Sequence, residues 1–164
     1  MSKLIIMSGV PGSGKSYFSR LLREKKSSHV YIISSDALRD AILGNQQNLT
    51  QDSLMWKMYY RLAEVYSEDP EGIVILDATF TTKKLRVNAV EVLKSYFESI
   101  DLVTFSLPLD VIKKQNLERE WPIPTEAVER LYAKFETPDK EELALYKNYF
   151  VIDRTNLEDI VNMY

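Results

Sequence analysis

The residues Gly9-Val10-Pro11-Gly12-Ser13-Gly14-Lys15-Ser16 stand at the spacing G-x-x-x-x-G-K-[ST], a pattern whose parts each have a job at a phosphate. Glycine lets the backbone come close to an anion and take up positive φ, so the N–H groups of residues 12 to 16 can converge on one oxygen cluster. A lysine in the position of Lys15 reaches the β- and γ-phosphates, and a hydroxyl in the position of Ser16 ligates Mg²⁺. That chemistry needs a strand before the loop and a helix after it. Leu4-Ile5-Ile6-Met7 is a short apolar run of the kind that forms a fully buried strand. Phe18, Leu21 and Leu22 recur beyond the loop at helical spacing. A helix that starts at the loop adds the field of its N-terminus to the anion site. The segment implies a nucleoside triphosphate site.

Further apolar runs at 3–7, 30–34, 73–77, 101–106 and 149–153 read as five strands separated by helical patterns. Such alternation implies an α/β chain with a parallel sheet covered by helices on both faces. Helices are expected over 15–25, 36–43 and 50–68. Leu54, Met58, Leu62 and Tyr66 form one expected core stripe; Leu85, Ala89, Leu93 and Phe97 form a second; Val128, Leu131 (or Tyr132) and Phe135 form a third. At 164 residues, with no repeat and no linker-like tract, the chain reads as one domain over 1–164. Its apolar content of 45% and charged content of 27% are those of a soluble globular protein. No apolar run is long enough to cross a bilayer, and Met1-Ser2-Lys3 leads straight into the first strand, so a cytoplasmic location is expected. Absence of cysteine excludes disulfides and thiolate chemistry, and the net charge of −3 disfavours broad binding to a nucleic-acid backbone.

In an open parallel sheet ligands sit beyond the carboxyl ends of the strands, so residues at those ends carry the argument. Asp36 follows the second strand, where a carboxylate can accept the proton of an attacking hydroxyl; Ser35 or Asp36 can equally cap the next helix. Arg39, one turn on, suits an acidic group on an acceptor or a solvated surface. Asp77 ends the third strand, in the place of an aspartate that holds Mg²⁺, or simply as a polar strand terminus. Lys83, Lys84 and Arg86 oppose the dipole of the helix they open, which points to an anionic partner or to a solvated patch. The charge-dense segment 110–124 ends in Trp121-Pro122-Ile123-Pro124 and reads either as a flap bringing Arg119 over the phosphates or as an exposed helix and turn. Arg154-Thr155-Asn156 follows the fifth strand, and Thr155 with Glu158 makes a capping box.

Taken together these segments resemble the P-loop kinases built like the kinase domain of polynucleotide 5′-hydroxyl kinase, with the zeta-toxin-type kinases as relatives. The resemblance rests on the loop at 9–16, including Pro11, on Ser34-Ser35-Asp36-Ala37-Leu38-Arg39, and on Asp77-Ala78-Thr79. It also rests on Asn116-Leu117-Glu118-Arg119 with Pro124, and on Phe135-Glu136-Thr137-Pro138. It implies a three-layer α/β/α P-loop NTPase fold, a five-stranded sheet of order 2-3-1-4-5, and a short lid near 110–125. By the same resemblance Asp36 is the general base, Arg39 contacts an acceptor phosphate, Thr79 lies on the substrate side, and Arg119 clamps the transferring group. ATP and Mg²⁺ are the implied cofactors, with Gly9, Pro11, Gly12, Ser13, Gly14, Lys15, Ser16 and Tyr17 around the nucleotide. Ser16 and Asp77 are placed at the metal. Two departures stand out: Tyr17 where many relatives have threonine, and Gln115 where polynucleotide kinases often have a first lid arginine.

The expected activity is transfer of the γ-phosphoryl group of ATP to an acceptor hydroxyl, the favoured acceptor being a 5′-hydroxyl of a polynucleotide or nucleotide. A small-metabolite or sugar kinase is the alternative enzyme, in keeping with the acidic balance. A nucleotide-binding switch is the alternative of another class, although no Asn/Thr-Lys-x-Asp guanine motif occurs in the chain.

Overall fold

A computed structural model describes residues 1–26 and 29–164. Five parallel strands, β1 (Lys3–Ser8), β2 (Val30–Ser34), β3 (Ile73–Asp77), β4 (Ser99–Phe105) and β5 (Asn148–Ile152), form one sheet of order β2-β3-β1-β4-β5. That is the order expected. The central strand β1 pairs in register with β3 on one side (Ile6 opposite Leu76) and β4 on the other (Ser8 opposite Thr104). Its side chains alternate between two cores. Leu4 and Ile6 join the cluster under α3 (Asp52–Tyr66) and α4 (Lys83–Leu93), while Ile5 and Met7 join the cluster under α1 (Lys15–Lys26) and α8 (Leu157–Val161). Both faces are covered, which is why the strand reads as a continuous apolar run.

On two helices the inward face differs from the expected one. In α3 the buried row is Met55, Tyr59 and Ala63, whereas Leu54 and Met58 are 61% and 47% exposed and Tyr66 is exposed as well. Two rows of apolar residues at four-residue spacing lie side by side on this helix, about 100° apart. The aromatic contacts decide between them, since Tyr59 and Trp56 pack against each other at 4.9 Å and against Phe80. In α4, Ala89 and Leu93 are buried, and so is Phe97 just beyond, but Leu85 is exposed and Arg86 takes the inward position.

Arg86 is completely buried, and all of its donors are used. Nε and Nη2 donate to the Glu142 carboxylate at 2.6 and 3.0 Å, Nη2 also to the Glu136 carbonyl at 2.7 Å, and Nη1 to the Phe80 carbonyl at 3.1 Å and Ser8 Oγ at 3.3 Å. Glu142 lies on the short helix α7 (Lys140–Leu143) and accepts a further bond from the Tyr146 hydroxyl at 3.0 Å. The Lys83 ammonium meets Asp139 at 2.8 Å. The anionic partner that these cations suggested is therefore the chain's own 136–142 segment, with Lys84 alone left exposed. The Phe80 carbonyl held by Arg86 also accepts from Ser8 Oγ at 2.7 Å, and Phe80 is the one non-glycine at positive φ (41°) among the described residues. Next to it, the Thr79 carbonyl accepts the Gly9 N–H at 2.9 Å. The ion pair thus braces the turn after β3 against the start of the phosphate loop.

Removing one partner of a buried, fully bonded pair leaves the other charge uncompensated. Arg86→Leu is expected to lower unfolding free energy by about 3–5 kcal/mol in urea denaturation, and Lys84→Ala by less than about 0.5 kcal/mol.

Candidate active site

The loop 9–14 between β1 and α1 curls around the N-terminus of α1, and its backbone geometry demands glycine at two places. Gly12 and Gly14 have φ of 87° and 101°. A Cβ on Gly12 would also lie 2.6 Å from the Ile112 carbonyl, because the lid helix α5 (Leu109–Leu117) packs directly on the loop. Lys15 Nζ donates to the carbonyls of Gly9 at 2.8 Å and Val10 at 3.0 Å, so the ammonium is tied into its own loop. Gly9 stands behind the loop, with its N–H on Thr79, rather than on the cavity wall; Pro11, Gly12, Ser13, Gly14, Lys15, Ser16, Tyr17 and Thr79 all line that wall.

The charges at the strand ends converge. Ser16 Oγ donates to Asp77 Oδ2 at 3.1 Å. Asp36 meets Arg39 Nη1 and Arg119 Nη2, each at 3.4 Å. Burial pushes the Lys15 ammonium down to about 8, against the pull of Asp77, with Arg119 adding to the fall and Asp36 opposing it. Burial likewise raises the Asp77 carboxyl, against Lys15 and the Ser16 hydrogen bond. Two buried polar atoms here have no partner: Ser13 Oγ in the loop and Arg119 Nη1 on the lid. Unsatisfied buried donors are costly, and an anion beneath Arg119 would satisfy Nη1, whereas Ser13 Oγ packs toward Gly9 behind the loop.

The helix α2 (Ser35–Leu43) is capped by Ser34, whose side chain accepts the Ala37 N–H at 3.2 Å. Neither Ser35 nor Asp36 caps it, so the Asp36 carboxylate is not spent on the helix end; it lines the cavity, 46% exposed, with only the two long arginine contacts. Arg39 is not solvated: it is 7% exposed and gives Nε and Nη2 to Asp52 Oδ1 at 3.0 and 2.8 Å. Trp56 Nε1 donates to the other oxygen of Asp52 at 3.1 Å, and the Arg39 guanidinium lies 5.9 Å from the Trp56 ring centre. Asp52 and Trp56 were missed by sequence reasoning. Their one signal, an acid four residues before an aromatic on a helix, is common.

The segment expected as a lid near 110–125 lies in a helix–turn–helix, from α5 through 118–124 to α6 (Thr125–Ala133). Asn116, 1% exposed, fixes the turn by donating Nδ2 to the Ile123 carbonyl at 2.8 Å and accepting the Ile123 N–H at 3.2 Å. Gln115 and Arg119 both line the cavity. Arg154 and Thr155 lie on the same wall, but the Thr155–Glu158 capping box does not form. Instead Asp153 Oδ1 accepts from Thr155 N and Oγ1, each at 2.7 Å, and α8 starts at Asn156 without a side-chain cap. Asp153 directly precedes Arg154 and competes successfully for the same hydroxyl.

The cavity measures about 1180 Å³ and runs from Arg154 and Tyr17, past the loop, to Asp36, Gln46 and Trp56. A single ligand of drug size fills about 300–1,000 Å³, so two reactants can meet here. Among the described residues no group of three His, Cys, Asp or Glu side chains is arranged to hold a metal. Ser16 and Asp77 are left as a two-residue set, the kind that takes Mg²⁺ together with phosphate oxygens.

The phosphate loop, Asp36 at the start of α2 and Arg119 after α5 thus line one cavity. The family profile described as "AAA domain" matches residues 4–138. The chain belongs to that AAA domain family. It is homologous to L-seryl-tRNA(Sec) kinase of Methanococcus maripaludis, 28% identical over 141 residues, which are 82% of this chain and 53% of the relative. The chain thus spans about half the length of that relative. The fold is that of Kti12 from Chaetomium thermophilum, solved with ADP-AlF3: the TM-score is 0.69 at 19% identity, over 98% of this chain and 96% of that one. It is also that of a chain in the Pnkp1/Rnl/Hen1 RNA repair complex: the TM-score is 0.70 at 21% identity, over 82% of this chain and 44% of that one. No described helix is long and apolar enough to cross a membrane.

A lysine held near 8 by burial regains its proton when a polyanion docks against it. At pH 8.5, binding of a triphosphate is therefore expected to take up protons, seen as a dependence of calorimetric enthalpy on buffer ionisation enthalpy. Lys15→Met should abolish that dependence.

Proposed function

We propose that this chain moves the γ-phosphoryl group of ATP to an acceptor hydroxyl, with Mg²⁺, and that the favoured acceptor is the 5′-hydroxyl end of a polynucleotide or nucleotide. The observation that carries the reading is Asp36. It is free of capping, faces the cavity and sits at the meeting point of Arg39 and Arg119, across from Lys15 and Asp77. A switch that only binds nucleotide has no use for such a carboxylate. The RNA-linked names of two relatives, a tRNA kinase and an RNA repair complex, support a nucleic-acid acceptor.

Each residue then has a physical role. The loop N–H groups and Lys15 bind the β- and γ-phosphates. Ser16 and Asp77 would hold Mg²⁺, which when bound neutralises charge on the phosphate oxygens. Asp36 accepts the acceptor's hydroxyl proton as its oxygen bonds to phosphorus and the bond to the ADP oxygen breaks. Arg119 turns its unpaired Nη1 toward the transferring group and leaves its long contact with Asp36, so phosphate binding also frees the base. Tyr17, 53% exposed, and Arg154 flank the end of the cavity left for the nucleoside.

Asp36→Asn keeps the shape and removes the base. Transfer of labelled γ-phosphate to a 5′-hydroxyl oligonucleotide is expected to fall about 10²- to 10⁴-fold, with affinity for a non-hydrolysable ATP analogue unchanged. Near-normal transfer by this variant would remove Asp36 from the mechanism.

A further inference from the structure

The segment 44–66 contributes Gln46, Gln47, Leu49 and Trp56 to the cavity, on the side of Asp36 and Arg39. Gly44, at φ 71°, closes α2, and two asparagines shape the loop that follows: Asn45 Oδ1 accepts the Gln47 N–H at 2.8 Å, and Asn48 Oδ1 accepts the Thr50 N–H at 3.0 Å. This loop brings Gln46, Gln47 and Leu49 to the cavity, facing Trp56 from α3. The indole is fixed on several sides. Its N–H is bound to Asp52, and its ring is edged by Tyr59 at 4.9 Å, Phe80 at 5.9 Å and Tyr60 at 6.1 Å.

The chemistry of this wall selects its ligand. Asp52 does not line the cavity: Oδ1 takes both of its bonds from Arg39 and Oδ2 accepts the Trp56 indole N–H, so the carboxylate is not presented to a sugar's hydroxyl groups. Arg39 spends Nε and Nη2 on Asp52 and turns Nη1 to Asp36, so it offers little to a second phosphate or a carboxylate. What remains is a rigid aromatic surface, a leucine and two neutral amides with both donors and acceptors. Such a wall suits a planar, uncharged heteroaromatic ring that stacks and offers hydrogen bonds at its edge. We propose that Trp56 is the stacking platform for the nucleobase of the acceptor's terminal nucleotide, with Gln46 and Gln47 at the base edge, next to the hydroxyl that Asp36 deprotonates. Arg39 is here a positioning residue, held by Asp52, that orients Asp36 and covers one side of the indole. The inference rests on the acceptor reading above and gives it a substrate class: a nucleoside-bearing 5′ end.

The test uses the intact chain with Trp56→Ala and Trp56→Phe, and three acceptors: a short 5′-hydroxyl oligonucleotide, the same oligonucleotide abasic at its first residue, and a small sugar alcohol. For the base-bearing acceptor, Trp56→Ala is expected to raise KM on the order of tenfold, with KM for ATP unchanged and Trp56→Phe recovering most of the loss. The abasic acceptor should show the raised KM already in the wild type and respond little to either variant. Equal KM for the two oligonucleotides, or a KM indifferent to Trp56→Ala, overturns the platform while leaving the kinase reading intact. A preference for the sugar alcohol overturns it as well. Transfer to none of the three by the wild type overturns the acceptor reading itself, and this inference with it.

Discussion

A buried lysine ammonium at the first turn of a helix must be compensated, and the way this chain compensates Lys15 sets the rest of the structure. The amine is bound by two carbonyls of its own loop and faces Asp77, while its neighbours Asp36 and Arg119 add one charge of each sign. Asp36 and Asp77 share the space with Lys15, Arg119 and Arg39, and two donors around it, Ser13 Oγ and Arg119 Nη1, are buried without a partner. The resting site has hydrogen-bond donors left unspent. A phosphate chain would supply acceptors for them, and a divalent cation would offset part of the negative charge it brings.

The positions of the loop and the lid follow from contacts that leave little slack. Gly12 meets the backbone of α5 so closely that a methyl group cannot be added. On the other side the turn after β3 is braced by Arg86 and Glu142, and that turn holds the Gly9 N–H through the Thr79 carbonyl. Loop, third-strand aspartate and lid are therefore one mechanical unit. The Asn116 clamp on Ile123 fixes the far end of the lid helix, so Arg119 projects from a short turn whose two ends are both anchored.

What the sequence made legible follows from local rules. Strands β2 and β3 fall on the expected residues because a strand buried on both faces is a bare apolar run, and the loop glycines announce themselves by their spacing. Periodicity failed where two faces of one helix carry similar residues: in α3 it selected Leu54 and Met58, and the aromatic cluster around Tyr59 and Phe80 selected Met55 and Ala63. The buried role of Arg86 was hidden because its partner Glu142 lies 56 residues away, and local charge patterning cannot see such a pair. Asp52 and Trp56 escaped for the same reason: their meaning depends on Arg39 in a neighbouring helix. Asp36, in contrast, lost one of its two readings in three dimensions, because Ser34 takes the cap and leaves the carboxylate facing Arg39 and Arg119.

If triphosphate and acceptor meet in one cavity with a carboxylate as base, the phosphoryl group passes directly between them and no side chain carries it. Transfer from ATP made chiral at the γ-phosphorus, followed by stereochemical assignment of the phosphorylated oligonucleotide, tests this directly. The account predicts inversion of configuration. Retention would reveal a phosphorylated protein intermediate, and release of all the label as inorganic phosphate would show that water, not an acceptor, is the partner; either result contradicts it.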